Sequence, residues 1–315
     1  MRRRTMQALR EDVTELALGT WGLSGEAYGP VSPAEAEAVI DRALELGVTL
    51  FDTADCYGRG SMERMLGDRI RKHGSPAWIA TRIGTERGEE RAKKAFEPAQ
   101  LRDAFERSRD RIGRDRIDIC LLHNPNVMTI ERGEAIGVLK ELTDKGAIGA
   151  WGVSAGDQHV ALAAVESGAR VLSLAYNIFH TRDLHAVAGE IAMRGVSVLA
   201  HSVLSYGLLA AHWGPERTFD EGDHRRERWS PDALRRRVAQ LKLVRDLVGG
   251  DVLTPRAAAL RFVLSNSLVT SAVLGPRSTA QLEQLLREAG SGPPYLPESA
   301  LSILPSRLLA AGISS

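Results

Sequence analysis

Cysteine is scarce in this sequence: Cys56 and Cys120 are the two in 315 residues. Two distant thiols offer neither metal-ligand spacing nor the framework of a disulfide scaffold. They suit a reducing compartment, and Cys56 reads as an inert thiol. An excess of charge of either sign is missing too. Lys and Arg number 41 against 40 Asp and Glu, for a net +1. That balance carries no basic footprint for nucleic acid or an anionic membrane. No segment reaches the about 18 apolar residues that a spanning helix needs. The basic start MRRRTMQALREDV has no apolar stretch behind it, unlike a signal peptide. Internal repeats, low-complexity tracts and linkers are absent. The expectation is one soluble cytoplasmic domain over residues 1–315.

What is present is a rhythm. Eight short apolar runs, 15–21, 48–54, 77–82, 117–123, 148–154, 170–177, 196–202 and 271–275, read as strands. Amphipathic segments separate most of them. The segment 32–47 has a Ser cap, a Pro at its first position and a Gly at its end, three helix punctuation marks. Others run over 61–74, 98–113, 129–146, 157–168, 182–195, 230–249 and 278–290, with an extra helix at 254–266 and another near 299–311. Near-continuous apolar strands alternating with helices predict a parallel sheet covered by helices. Eight such units predict an α/β fold of the single (β/α)₈ TIM-barrel kind with a C-terminal helical extension. The alternative, a doubly wound open sheet, lacks the glycine fingerprint GxGxxG after an early strand.

Chemistry in a (β/α)₈ barrel gathers at the C-terminal strand ends. The second strand ends at Asp52, with Tyr57 in the loop beyond; the third ends at Arg82 and the fourth at His123. Singly, such an Asp is a turn cap and such a His a structural side chain. Together they make a proton-handling group. A cation lowers a phenol's pKa, a carboxylate holds the cation, and an imidazole hydrogen-bonds a substrate oxygen. Trp21, Tyr28, Trp213 and Trp229 are candidates for an apolar mouth, and the loops 22–31, 84–97, 124–129 and 208–230 for substrate selection.

The stretch FDTADCYGRGSMERMLG (51–67) resembles the strand-2 signature of the aldo-keto reductase family. LALGTWGL (16–23), LLHNP (121–125), WGVSA (151–155), LGPRSTAQLEQ (274–284) and the loop 219–231 carry the same resemblance. It implies an oxidoreductase that binds NADP(H) extended over the barrel mouth and reduces an aldehyde or ketone to an alcohol, or the reverse. By the same resemblance, Asp52, Tyr57 and His123 fall on three members of a catalytic tetrad, and Arg82 stands where the family has lysine. Arginine is a longer, planar fork that can bind Asp52 through two bonds. For the cofactor, Ser202, Leu204 and Gly207 match the loop along the pyrophosphate, and Arg277, Ser278 and Gln281 the site of the 2′-phosphate. Gly19, Thr20 and Trp21 follow the first strand. The nicotinamide end departs from the family: Ser154 precedes Ala155 rather than Asn, Ser173 replaces Gln, and His201 replaces a stacking Tyr. The alternative is therefore an NADP(H)-binding barrel with altered or lost hydride transfer, acting as a sensor, an interaction protein or a lyase or isomerase. The expected partner is a small carbonyl compound, and no metal is expected.

Overall fold

All eight apolar runs pair side by side and in parallel, and the sheet closes on itself. This is seen in a computed structural model that describes residues 1–87 and 92–313. The barrel strands are β3 (Leu16–Gly19), β4 (Leu50–Asp52), β5 (Trp78–Ile83), β8 (Ile117–His123), β9 (Ile148–Ser154), β10 (Val171–Ala175), β11 (Ser197–His201) and β12 (Val269–Leu274). They follow one another around the barrel in chain order, with β12 closing against β3. The remaining strands form two antiparallel hairpins, β1 (Arg3–Met6) with β2 (Glu11–Thr14) and β6 (Thr85–Arg87) with β7 (Ala92–Lys94).

A strand's side chains alternate between its two faces. The inward column holds Ala17, Leu50, Ala80, Ile119, Leu121, Ala150, Val171, Leu199 and Val273, one buried cluster. The outward column, with Leu16, Leu18, Phe51 and Ile79, packs on the helices. The helix ring begins with α1 (Pro33–Glu45), α2 (Ser61–His73), α3 (Pro98–Ile112), α4 (Val127–Glu131), α5 (Glu134–Asp144) and α6 (Gln158–Glu166). It continues with α7 (Arg182–Ala186), α8 (Ala188–Arg194), α9 (Arg225–Arg228), α10 (Pro231–Gln240) and α11 (Lys242–Arg245). It ends with α12 (Pro255–Ser265), α13 (Thr279–Glu288) and α14 (Glu298–Ala310). Ser32 caps α1 in a full capping box with Glu35, and Ser278 caps α13 by accepting from the Gln281 N–H.

The N-terminus and three of the helices differ from the sequence expectation. The charged N-terminus forms the β1–β2 hairpin, whose Met6 and Val13 are fully buried in the barrel interior from below. Alternation with so few apolar residues carried no strand signal. The helix expected over 129–146 divides at Gly133, whose φ of 77° interrupts it. Those over 182–195 and 230–249 divide at Val187 and Leu241. Part of the expected substrate loop, 88–91, lies outside the described residues. Among those described, no helix is long and apolar enough to cross a membrane.

Helix α2 crosses α3 at Gly67, where a Cβ would stand 2.1 Å from the Ile112 carbonyl oxygen. Backbone cannot yield there as a flexible side chain would. Gly67→Ala is expected to lower stability by about 1–3 kcal/mol or more, read as a fall in the urea midpoint at unchanged slope.

Candidate active site

The inward columns of the barrel turn polar at their C-terminal ends. Two residues above Leu50 comes Asp52, above Ala80 comes Arg82, above Leu121 comes His123, above Val171 comes Ser173 and above Leu199 comes His201. The period that buries the apolar residues below thus aims these side chains at the mouth. A cavity of about 770 Å³ opens there, lined among others by Asp52, Tyr57, Arg82 and His123.

Arg82 is 3% exposed and Asp52 4%. The Arg82 Nη1 donates to Asp52 Oδ1 at 2.7 Å and to the Thr53 carbonyl at 3.0 Å. Its Nη2 donates to Ser173 Oγ at 2.9 Å. The two-bond Arg82–Asp52 fork that an arginine could form here is not formed: the second nitrogen donates to Ser173, and Asp52 Oδ2 is buried without a hydrogen-bond partner. Burial pushes Asp52 above the usual carboxylate range against the pull of Arg82. The guanidinium is held in its charged form: burial works against the charge, and Asp52 and Tyr57 outweigh it.

Tyr57 opens a turn, Tyr57–Gly60, in which Gly58 and Arg59 take left-handed conformations, directly after the β4 loop. Its ring meets that of His123 edge-on, with centroids 6.1 Å apart. Burial pushes the phenol above its ordinary value of 10, and Arg82 only partly offsets this. The sequence expectation of a lowered phenol is corrected on that point: the cation acts in the expected sense, and desolvation is larger. Burial, then Arg82, Lys94 and His201, hold His123 well below 6.5, so its ring is uncharged at neutral pH. His201 is pushed down to about 3 by burial and Arg82. Both rings face a mouth whose fixed cation opposes a second positive charge.

Of the residues assigned to cofactor binding, Gly19, Trp21, Ser154, His201, Ser202, Leu204, Gly207, Arg277 and Gln281 line the same cavity. Three do not. Thr20 is fully buried and donates to the Asp52 carbonyl and Thr53 Oγ1, Ser173 lies beneath Arg82, and Ser278 caps α13. The residues present fit a nicotinamide dinucleotide in its distal part. Ser202, Ser205, Tyr206 and Gly207 take left-handed backbone conformations, giving a concave loop of the kind that receives anions. Arg277 borders the cavity beside Gln281, and its Nε is buried without a partner. Its Nη1 and Nη2 donate to the carbonyls of Tyr28, Gly29 and Pro30, each at 3.0 Å.

Of the aromatic candidates, Trp21, Tyr28 and Trp213 line the mouth, while Trp229 packs behind them, 5.8 Å from Trp213 between ring centroids. Lys94, Asn124 and Arg228, which the sequence placed in its substrate loops without singling them out, also line it, as does Tyr206, which it missed. Lys94 reaches in from β7 and donates to the His123 carbonyl at 2.7 Å and to Thr85 Oγ1 at 3.0 Å. No motif marks a hairpin residue of this kind. Asn124 carried a local signal, since it follows His123 directly; its φ is 50° and its Oδ1 accepts from Ser154 Oγ at 3.1 Å.

The sequence model described as the aldo/keto reductase family matches residues 15–290. An aldo-keto reductase of Bacillus subtilis (strain 168) is 30% identical, over 89% of this chain and 86% of its own. A pyridoxal 4-dehydrogenase of Microbacterium luteolum is 27% identical, over 86% of this chain and 88% of its own. Among solved structures, a glycerol dehydrogenase of Gluconobacter oxydans superposes with a TM-score of 0.84 at 23% identity, covering 99% of this chain and 97% of that one. The holo form of an aldo-keto reductase from Bacillus halodurans gives 0.80, also at 23%, over 97% and 96%. These two likenesses are of fold.

A histidine whose folded pKa is depressed binds its proton more readily when unfolded. Its contribution to stability is complete above the unfolded value near 6.5 and is lost as pH falls through the folded one. His201, at about 3, sets a window from 6.5 downward. Urea midpoints are expected to fall between about pH 7 and pH 4, and His201→Gln to flatten that fall.

Proposed function

The chain belongs to the aldo/keto reductase family, and on that premise we propose that it is a cytoplasmic NADP(H)-dependent oxidoreductase that reduces an aldehyde or ketone to an alcohol, or runs the reverse. The observation that carries this reading is the buried Arg82–Asp52 pair, set with Tyr57 and His123 in one cavity that extends to Arg277 and Gln281. The dinucleotide, when bound, supplies or accepts the hydride. Ser202, Leu204 and Gly207 are the residues suited to its pyrophosphate, and Arg277 with Gln281 to its 2′-phosphate.

The rest of the chemistry belongs to this chain. Tyr57 keeps its proton at neutral pH, because burial raises its pKa. It gives that proton up only to a strong base, and the oxygen of a carbonyl becomes one as negative charge builds on it. Arg82 then stabilises the phenolate left behind, and Asp52 holds Arg82 in place. His123, uncharged, contributes an N–H that orients the carbonyl oxygen. The aromatic walls, Trp21, Tyr28 and Trp213, suit a planar or apolar substituent on that carbonyl.

One observation favours a second reading, in which hydride transfer is altered or lost. Arg82 Nη2 is engaged with Ser173, at a position where the resemblance gives a glutamine near the nicotinamide. Purified protein mixed with NADPH and a panel of aldehydes and ketones, pyridoxal included, separates the two. Turnover that Tyr57→Phe lowers by about 10²-fold or more supports the first. Tight NADPH binding without turnover, indifferent to Tyr57→Phe and not rescued by Arg82→Lys, supports the second. Under the first reading, the rate of reduction is expected to stay level from pH 6.5 to 10, because His123 titrates below that range and Tyr57 above it.

A further inference from the structure

Cys56, an inert thiol by sequence, lies with its Sγ 3.7 Å from His123 Nδ1. Asp55 completes a trio: one ligand atom from each of Asp55, Cys56 and His123 lies within 4.8 Å of the other two. We propose that these three side chains bind one divalent transition-metal ion of the zinc type, on the Nδ1 side of the His123 ring.

The thiol–imidazole spacing is close to that of a tetrahedral site. Metal–sulfur and metal–nitrogen bonds of about 2.3 and 2.0 Å at the tetrahedral angle separate the two donors by about 3.5 Å. The thiol and imidazole, 3.7 Å apart, stand close to that separation, and the carboxylate closes in on both when the ion binds. Asp55 Oδ1 is buried and has no hydrogen-bond partner, so it has an acceptor site to offer. The scaffold is firm: the Asp55 N–H donates to the Arg82 carbonyl at 2.9 Å, and His123 ends the barrel strand β8. A thiolate, a carboxylate and a neutral imidazole balance a dication, and this mixed soft and borderline set selects zinc-like ions over magnesium or calcium. Cys56 and His123 both border the cavity, which leaves the fourth position to water. Binding releases the Cys56 thiol proton, and any proton on the Asp55 carboxyl, to solvent. It also fixes the ring proton of His123 on Nε2, the nitrogen left free.

The site stands independently of the reductase reading, and its test reads binding alone. Cobalt(II) added to chelator-treated protein should produce a thiolate-to-cobalt charge-transfer band in the near ultraviolet that saturates at one equivalent. The chain has two cysteines, and Cys120 is 0% exposed, so the band reports on Cys56. Cys56→Ser should abolish it, and Asp55→Asn should weaken affinity about tenfold or more, with a circular dichroism spectrum unchanged from the parent. Zinc should displace cobalt and bleach the band. Absence of a band, its persistence in Cys56→Ser, or full affinity in Asp55→Asn would overturn the proposal.

Discussion

A guanidinium 3% exposed at the end of a hydrophobic strand is tolerable only if something answers its charge. Asp52 does so at 2.7 Å, one strand away. Each partner makes the other's burial possible, and removing either leaves an uncompensated charge at a cost of about 3–5 kcal/mol. Much else at the mouth follows from this pair. The positive charge holds His123 and His201 neutral, pulls on the Tyr57 phenol, and recruits Ser173 from β10, three strands round the barrel.

The pair is positioned by a second set of contacts on the outer face of the same strands. Thr81, next to Arg82 and pointing the other way, donates to the fully buried Glu63 of α2 at 2.6 Å. Arg111 of α3 reaches Glu63 at 3.1 Å and the Asp55 carbonyl at 3.5 Å. The loop that carries Asp55, Cys56 and Tyr57 is thereby tied to two helices. Gly60, at φ 85°, sits where a Cβ would meet the Arg111 guanidinium at 2.4 Å, so the turn bearing Tyr57 needs glycine at its end.

The two ends of the barrel divide the work. At the bottom, Arg4 donates to the carbonyls of Leu264, Asn266 and Val269 and pairs with buried Glu15 at 3.4 Å, which also accepts from Tyr295. This cluster joins the N-terminal hairpin to the C-terminal extension and seals the interior. At the top, the aromatic and cationic groups leave a cavity. Arg277 bridges to the Tyr28–Pro30 loop, and the Ala27 carbonyl accepts from the His224 N–H at 3.0 Å, so the loops after β3 and β11 meet across the mouth.

Local pattern in the sequence was enough for the eight barrel strands, the Ser32 cap of α1, and the four residues Asp52, Tyr57, Arg82 and His123 as neighbours, because these depend on short-range period and punctuation. A period of two fixes which side chains face inward, whatever surrounds the strand. The tertiary structure alone decided how charge and protons are arranged. Arg82 binds Asp52 once and Ser173 once because the closed barrel brings β10, three strands round from β5, within its reach. Tyr57 rises because desolvation exceeds the pull of Arg82. Lys94 and Cys56 reach His123 through a hairpin and a loop whose sequences carry no sign of it. Desolvation and charge–charge interaction add up over groups far apart in the chain, and local spacing holds no record of that sum.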